Sequence, residues 1–193
     1  ANTTGNHNIA IGKNALDANT VGDRNVAIGS TALTNFNPAS NADTYNTAIG
    51  YNAGNAVTTG TLNTLIGGLA GDALTDADTN VAVGVNTLST DTKGSRSTAV
   101  GYAALETQNF TTATNTFNTA LGYYAGQSVT TGTQNTLIGG LAGDAITTAS
   151  NNTAIGYNAL TANTTGTANV AVGHRAGEAN TTGDSNTFIG KEA

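Results

Sequence analysis

The chain of 193 residues has no cysteine, methionine or tryptophan, and its single proline is Pro38. Without cysteine there is neither a disulfide framework nor a thiolate metal site. Charge is scarce as well: 9% of residues are charged, against about a quarter in ordinary soluble domains. The six Lys and Arg are scattered and the net charge is -6, which excludes the clustered cationic face that grips nucleic-acid phosphates. No apolar run approaches the roughly 18 residues of a membrane span, so no membrane insertion is expected. The start shows no signal peptide, which fits a mature or excised segment. Low charge with much Thr, Asn and Gly is also found in disordered chains, but those combine low hydrophobicity with high net charge. Here 38% of residues are apolar and they are regularly placed, which argues for order.

What is present is a repeat. Asn-x-Ala-Ile-Gly, with conservative variants, recurs with its glycine at Gly12, Gly29, Gly50, Gly67, Gly84, Gly101, Gly122, Gly139, Gly156, Gly173 and Gly190. The spacing is 17 residues, except for two intervals of 21, Gly29 to Gly50 and Gly101 to Gly122. These place four-residue insertions within 30–45 and 102–117, 72 residues apart. The run from Asn63 to Asp72 recurs as Asn135 to Asp144, so a four-coil block is duplicated. A 17-residue unit is too short for a helix pair, whose repeats run to about 33 residues or more. Short β-prone segments bounded by glycine are strands. The prediction is an all-β parallel β-solenoid, or β-roll, of eleven coils forming one domain over 1–193. Each coil is expected to hold two short strands and two turns. At about 4.8 Å per coil, the rod is about 50 Å long.

Aligned on this period, the sequence forms columns. Asparagine occupies one, from Asn8 to Asn186, broken only by Ser97. A small column holds Ala10, Ala27, Ala48, Ala82, Ala99, Ala120, Ala154 and Ala171, with Leu65, Leu137 and Phe188 as larger members. The next position is aliphatic: Ile11, Ile28, Ile49, Ile66, Val83, Val100, Leu121, Ile138, Ile155, Val172 and Ile189. Neighbours on a strand point to opposite faces, so these two columns cannot both line the coil. Alanines inside leave an aliphatic stripe outside, a surface for association. Aliphatics inside permit a monomer. Periodicity leaves both open, and the oligomer is favoured. The eleven aliphatics are thus the candidate oligomer seam or core.

Other columns have structural explanations. In-register Asn amides are expected to form a ladder along the rod, and the glycines suit tight corners. A further alanine column, three residues past the glycines and broken at Thr87, is followed by either Leu or Gly. The insertions carry Asn35-Phe36-Asn37-Pro38 and Asn109-Phe110-Thr111-Thr112. They should bulge outward, making Phe36, Tyr45, Phe110 and Phe117 the candidates for surface contact. Neither end shows a polar cap, and solenoids need capping repeats. The chain is therefore expected to be part of something longer, or to stack end to end.

Little points to chemistry. His7 and His174 fall in different columns, far apart. Asp76 and Asp78 lack the glycine spacing and distal Glu of a calcium loop, and Asp72 and Asp144 follow glycines as turn residues do. No catalytic residue, metal site or cofactor is expected, and the chain is not expected to be an enzyme. Tyr51, Tyr102, Tyr123 and Tyr157 each follow a repeat glycine. They either cover a strand edge or oligomer groove, the favoured role, or stack on sugars. Thr3, Thr20, Thr58, Thr75, Thr92, Thr130, Thr147, Thr164 and Thr181 align as a rank interrupted by Asn41 and Ala113, an arrangement that could order water and bind ice.

The motif Asn-[Thr/Val]-Ala-[Ile/Val]-Gly-x-x-Ala, over essentially all eleven repeats, resembles the head repeat of trimeric autotransporter adhesins and related repeats of phage tail fibres. The resemblance implies a left-handed parallel β-roll, three chains about one axis with the aliphatic column towards it, and binding to host surfaces. The period of 17 is longer than the usual adhesin head repeat, and no coiled-coil stalk, membrane anchor or tail-fibre chaperone segment is seen. The expected role is a structural or adhesive fibre segment, extracellular on a cell surface or virion, its partners its own copies and a host surface or glycan. The alternatives are a self-assembling extracellular filament subunit and an ice-binding solenoid.

Overall fold

The computed structural model describes residues 2–193. Among these residues the chain winds as a parallel β-solenoid of eleven coils with no helix. The three residues before each repeat glycine form a strand: Ile9–Ile11, Val26–Ile28, Thr47–Ile49, Thr64–Ile66, Val81–Val83, Thr98–Val100, Thr119–Leu121, Thr136–Ile138, Thr153–Ile155, Val170–Val172 and Thr187–Ile189. They pair in chain order as one parallel sheet. Registers are strict, with Ala10 opposite Ala27 and Ile11 opposite Ile28, and the four-residue insertions do not disturb them: Ala27 meets Ala48 and Ala99 meets Ala120.

The second strand expected in each coil is mostly absent. Only beside the insertions do two-residue pairs form, Gly22–Asp23 with Ala42–Asp43 and Gly94–Ser95 with Thr114–Asn115. Elsewhere the backbone turns by left-handed residues. Each coil has one just before the Asn column (Arg24, φ 59°; Leu62, φ 60°; Phe117, φ 52°) and another two residues after the glycine (Thr31, φ 62°; Leu69, φ 59°). A third follows at Leu16, Leu33, Leu88, Leu105 and Leu160, or at glycines such as Gly54 and Gly71. For a residue with a Cβ this conformation costs about 1 kcal/mol. Inter-coil hydrogen bonds offset it: Thr31 N donates to Lys13 O at 2.8 Å, Leu33 N to Ala53 O at 3.0 Å and Leu62 N to Thr44 O at 2.8 Å. The ladder thus continues around the coil where the strand dihedrals end.

The repeat glycines from Gly12 to Gly173 leave no room for a Cβ against the next coil. At Gly139, φ is 131°, and a Cβ would lie 2.5 Å from the Gly156 carbonyl oxygen of the next coil.

Alanines line the interior: Ala27, Ala48, Ala82, Ala99, Ala120, Ala154 and Ala171 are wholly buried. The Leu/Gly pattern fills the remaining volume. Where the left-handed position is Leu33, Leu88 or Leu105, its side chain occupies the interior. Where it is Gly71, the space is taken by Leu65 and Leu74, whose methyl carbons lie 2.8 Å from where a Cβ would stand. Gly143 relates in the same way to Leu137 and Ile146.

The asparagines form the expected ladder, and they are inside. Along the ladder the backbone N–H donates to the Oδ1 of the Asn one coil earlier, Asn63 to Asn46 at 3.0 Å, Asn80 to Asn63 at 2.9 Å and Asn152 to Asn135 at 3.0 Å, except past Ser97, where Asn118 N donates to Thr116 Oγ1 at 3.4 Å. Most Nδ2 groups donate to a turn carbonyl of the following coil, as Asn63 does to Ala77 O at 2.8 Å and Asn152 to Gly166 O at 2.9 Å, while Asn25 Nδ2 donates to Asp23 O at 3.1 Å. Within the ladder the buried amides, such as Asn63, Asn135 and Asn152, are partnered at both ends, as burial requires.

Candidate interaction surface

With alanine inward, pleating turns both flanking strand positions outward. The aliphatic column therefore lies on the outer face and is not core. Ile11, Leu121 and Ile189 are 58%, 47% and 70% exposed. Ile155 and Val172 are also exposed, while Ile28, Ile49, Ile66, Val83, Val100 and Ile138 are half-buried by their neighbours in the column. Beside this stripe, two residues earlier, runs a second outward column: Val26, Thr47, Thr64, Val81, Thr98, Thr119, Thr136, Thr153 and Val170. Together they make a regular face of aliphatic and threonine side chains along the rod.

Past the glycine corner comes the tyrosine column. Tyr102 and Tyr123 stack with ring centroids 5.7 Å apart, and Tyr124 sets its edge against Tyr123 at 4.2 Å and Tyr102 at 5.4 Å. Hydrogen bonding with Tyr123 pushes the Tyr124 hydroxyl up to about 12. Tyr157 stacks on His174 at 5.7 Å. Sequence reasoning found the column but missed Tyr124, which a left-handed φ of 55° places in the same cluster.

The four insertion aromatics divide. Tyr45 and Phe117 are half exposed. Phe36 and Phe110 are not surface residues: both are buried, Phe36 completely. The insertions do carry exposed backbone, at 39–43 and 111–113, but each phenylalanine turns inward before the bulge begins. Phe36 lies over Gly22, whose missing Cβ would stand 2.8 Å from the ring. The exposed pair have partners that the sequence did not announce. Arg24 lies over the Tyr45 ring and Arg96 over the Phe117 ring, each at 5.7 Å. Their shared 72-residue spacing was the available signal.

The threonine rank is also revised. Asn37 and Asn109 continue it, not Asn41 and Ala113, because the extra residues come after them. Thr20 Oγ1 donates to Asn37 Oδ1 at 2.8 Å and Thr92 Oγ1 to Asn109 Oδ1 at 3.3 Å. Other members donate their hydroxyls to the next coil, Thr75 to Thr92 O at 3.1 Å and Thr147 to Thr164 O at 3.1 Å.

The acidic residues are spread along the coils. Asp76 pairs with Lys93, Asp78 Oδ1 accepts from Thr61, and Asp144 Oδ1 accepts from Thr161 Oγ1 at 2.7 Å. Asp72, the counterpart of Asp144, has a buried Oδ1 without a partner, and burial pushes its carboxyl above the usual range. Among the described residues no group of three or more His, Asp or Glu side chains is placed to hold a metal ion.

The fold and this outer face define a β-solenoid repeat protein. Comparison of the chain with protein-family models, curated proteins and solved structures finds no match.

Proposed function

We propose that the chain is a structural segment of an extracellular fibre, on a cell surface or virion, in which three copies pack through their outward aliphatic columns and the assembly serves attachment. The observation that carries this is the continuous apolar stripe from Ile11 to Ile189 on the outside of the sheet. A stripe of this length exceeds what soluble monomers ordinarily leave to water, and its in-register repetition matches a second, identical stripe. The resemblance of the repeat to adhesin heads and tail fibres supports a shared axis of three chains. Sedimentation equilibrium of the purified chain tests it. A discrete trimer is expected, and Ile66→Lys with Val100→Lys should yield a monomer with the same circular dichroism. A wild-type monomer defeats the proposal, whereas open-ended polymers would instead support the self-assembling filament.

Ice binding by the threonine rank is not favoured, because its hydroxyl protons are engaged in bonds between coils.

A further inference from the structure

Arg24 and Arg96 hold the same place in the two copies of the four-coil block, each stacked on an aromatic ring of the following coil. Their surroundings differ. In the first block Asp43 pairs with Arg24, and Tyr45 Oη donates to Asp43 Oδ2 at 3.3 Å. Guanidinium, carboxylate and phenol close on one another. In the second block Asn115 stands where Asp43 stands, shown by matching registers: Asp43 opposite Asp23, Asn115 opposite Ser95. Phe117 replaces Tyr45 and offers no hydroxyl. Arg96 is exposed and makes no ion pair among the described residues. The acidic residues of the preceding coil are engaged elsewhere, Asp76 with Lys93 at 3.4 Å and Asp78 Oδ1 with Thr61 N at 2.7 Å and Oγ1 at 3.0 Å.

We propose that Arg96 and Phe117 bind a carboxylate-bearing saccharide, the carboxylate taking the place that Asp43 fills in the first block. A planar guanidinium donates two parallel hydrogen bonds to a carboxylate. The exposed ring beside it is a face for the apolar side of a pyranose. The exposed Asn115, at the place of Asp43, supplies an amide for sugar hydroxyls.

Fluorescence anisotropy with labelled oligogalacturonate and its methyl ester, identical but for the charge, tests the site on the full chain. The acid form should bind once per chain and the ester about tenfold more weakly or worse, the scale of a charge-assisted pair. Asn115→Asp should rebuild the internal pair and weaken binding by a similar factor while the circular dichroism is kept. Asp43→Asn should open the first block and raise the stoichiometry to two. Equal affinity for acid and ester, or an Asn115→Asp variant that binds like wild type, overturns the proposal. A glutamate-rich peptide bound as tightly as oligogalacturonate overturns the assignment to a saccharide.

Discussion

Gln108 reaches across the interior to Asp91: its Nε2 lies 2.6 Å from Asp91 Oδ2 and 2.9 Å from Ser97 Oγ, while its Oε1 accepts from Asn118 Nδ2 at 2.8 Å. Gly94 N and Phe110 N, each at 3.0 Å, complete the shell of the Asp91 carboxylate. This network stands where Ser97 interrupts the asparagine ladder. With Asn25 in the equivalent place of the first block, Phe36 fills the position of Gln108 and the uncharged Asn19 that of Asp91. A buried carboxylate facing no cation depends on its donors. Gln108→Leu should therefore destabilise the fold by about 2 kcal/mol, and adding Asp91→Asn should recover part of the loss by removing the charge. Urea midpoints of the two variants check this, and identical midpoints would count against the network.

Asp72 and Asp144 are sequence equivalents with different fates, since Thr161 donates to Asp144 and nothing donates to the buried Asp72 Oδ1. The folded Asp72 carboxyl titrates above its unfolded value of 3.8, chiefly through desolvation. The folded state then binds the proton more tightly than the unfolded state, so ionisation opposes folding. The cost is nil well below 3.8 and grows as pH rises through the raised value. Asp72→Asn should raise stability by about 1 kcal/mol at neutral pH and leave it unchanged in acid. Thermal melts at both pH values decide it.

Removing one rung of the ladder should cost most at its centre. Asn135→Ala strands the buried Asn152 N–H and the Ala149 carbonyl and should cost about 2 kcal/mol. At Asn8, partly open to water, the same substitution should cost less than about 1 kcal/mol. Equal losses at the two sites, measured by urea unfolding, would show that burial is not the controlling factor.

The interior volume rule makes a third kind of expectation. Leu65 fits because Gly54 and Gly71 make room for it, whereas Ala99 is flanked by Leu88 and Leu105, both buried. Ala99→Leu alone should cost about 1–3 kcal/mol by overpacking. Adding Leu88→Gly and Leu105→Gly should relieve it in part, which calorimetry of the single and triple variants would reveal.

Period and glycine placement carried the fold into view: eleven coils, one parallel sheet and undisturbed registers follow from the spacing of Gly12 to Gly190. The choice of inward column did not, because strand alternation separates Ala27 from Ile28 without saying which faces in. That depends on the room inside the coil, which residues such as Leu33 and Leu65 already fill. The missing second strand was hidden for another reason. Leu16, Thr31 and Leu62 are poor left-handed residues on local grounds, and bonds to neighbouring coils hold them there. Of the candidate contacts, Tyr45 and Phe117 were legible as exposed aromatics. Phe36 misled because its neighbours Asn35 and Asn37 are polar, while the ring itself is drawn to the space above Gly22. Arg24 and Arg96 were visible only as scattered charges until the winding set them over rings.

A stack of near-identical coils has a phase problem. Slipping one segment by 17 residues would again set alanine on alanine and asparagine on asparagine, at the loss of one coil's contacts. The insertions break that degeneracy. Phe36 and Pro38 close over Gly22, and Asp91 is met by Gln108 and Phe110, contacts that no shifted alignment reproduces. The two irregular coils act as keys in a periodic lock, giving each repeat a fixed address along the rod.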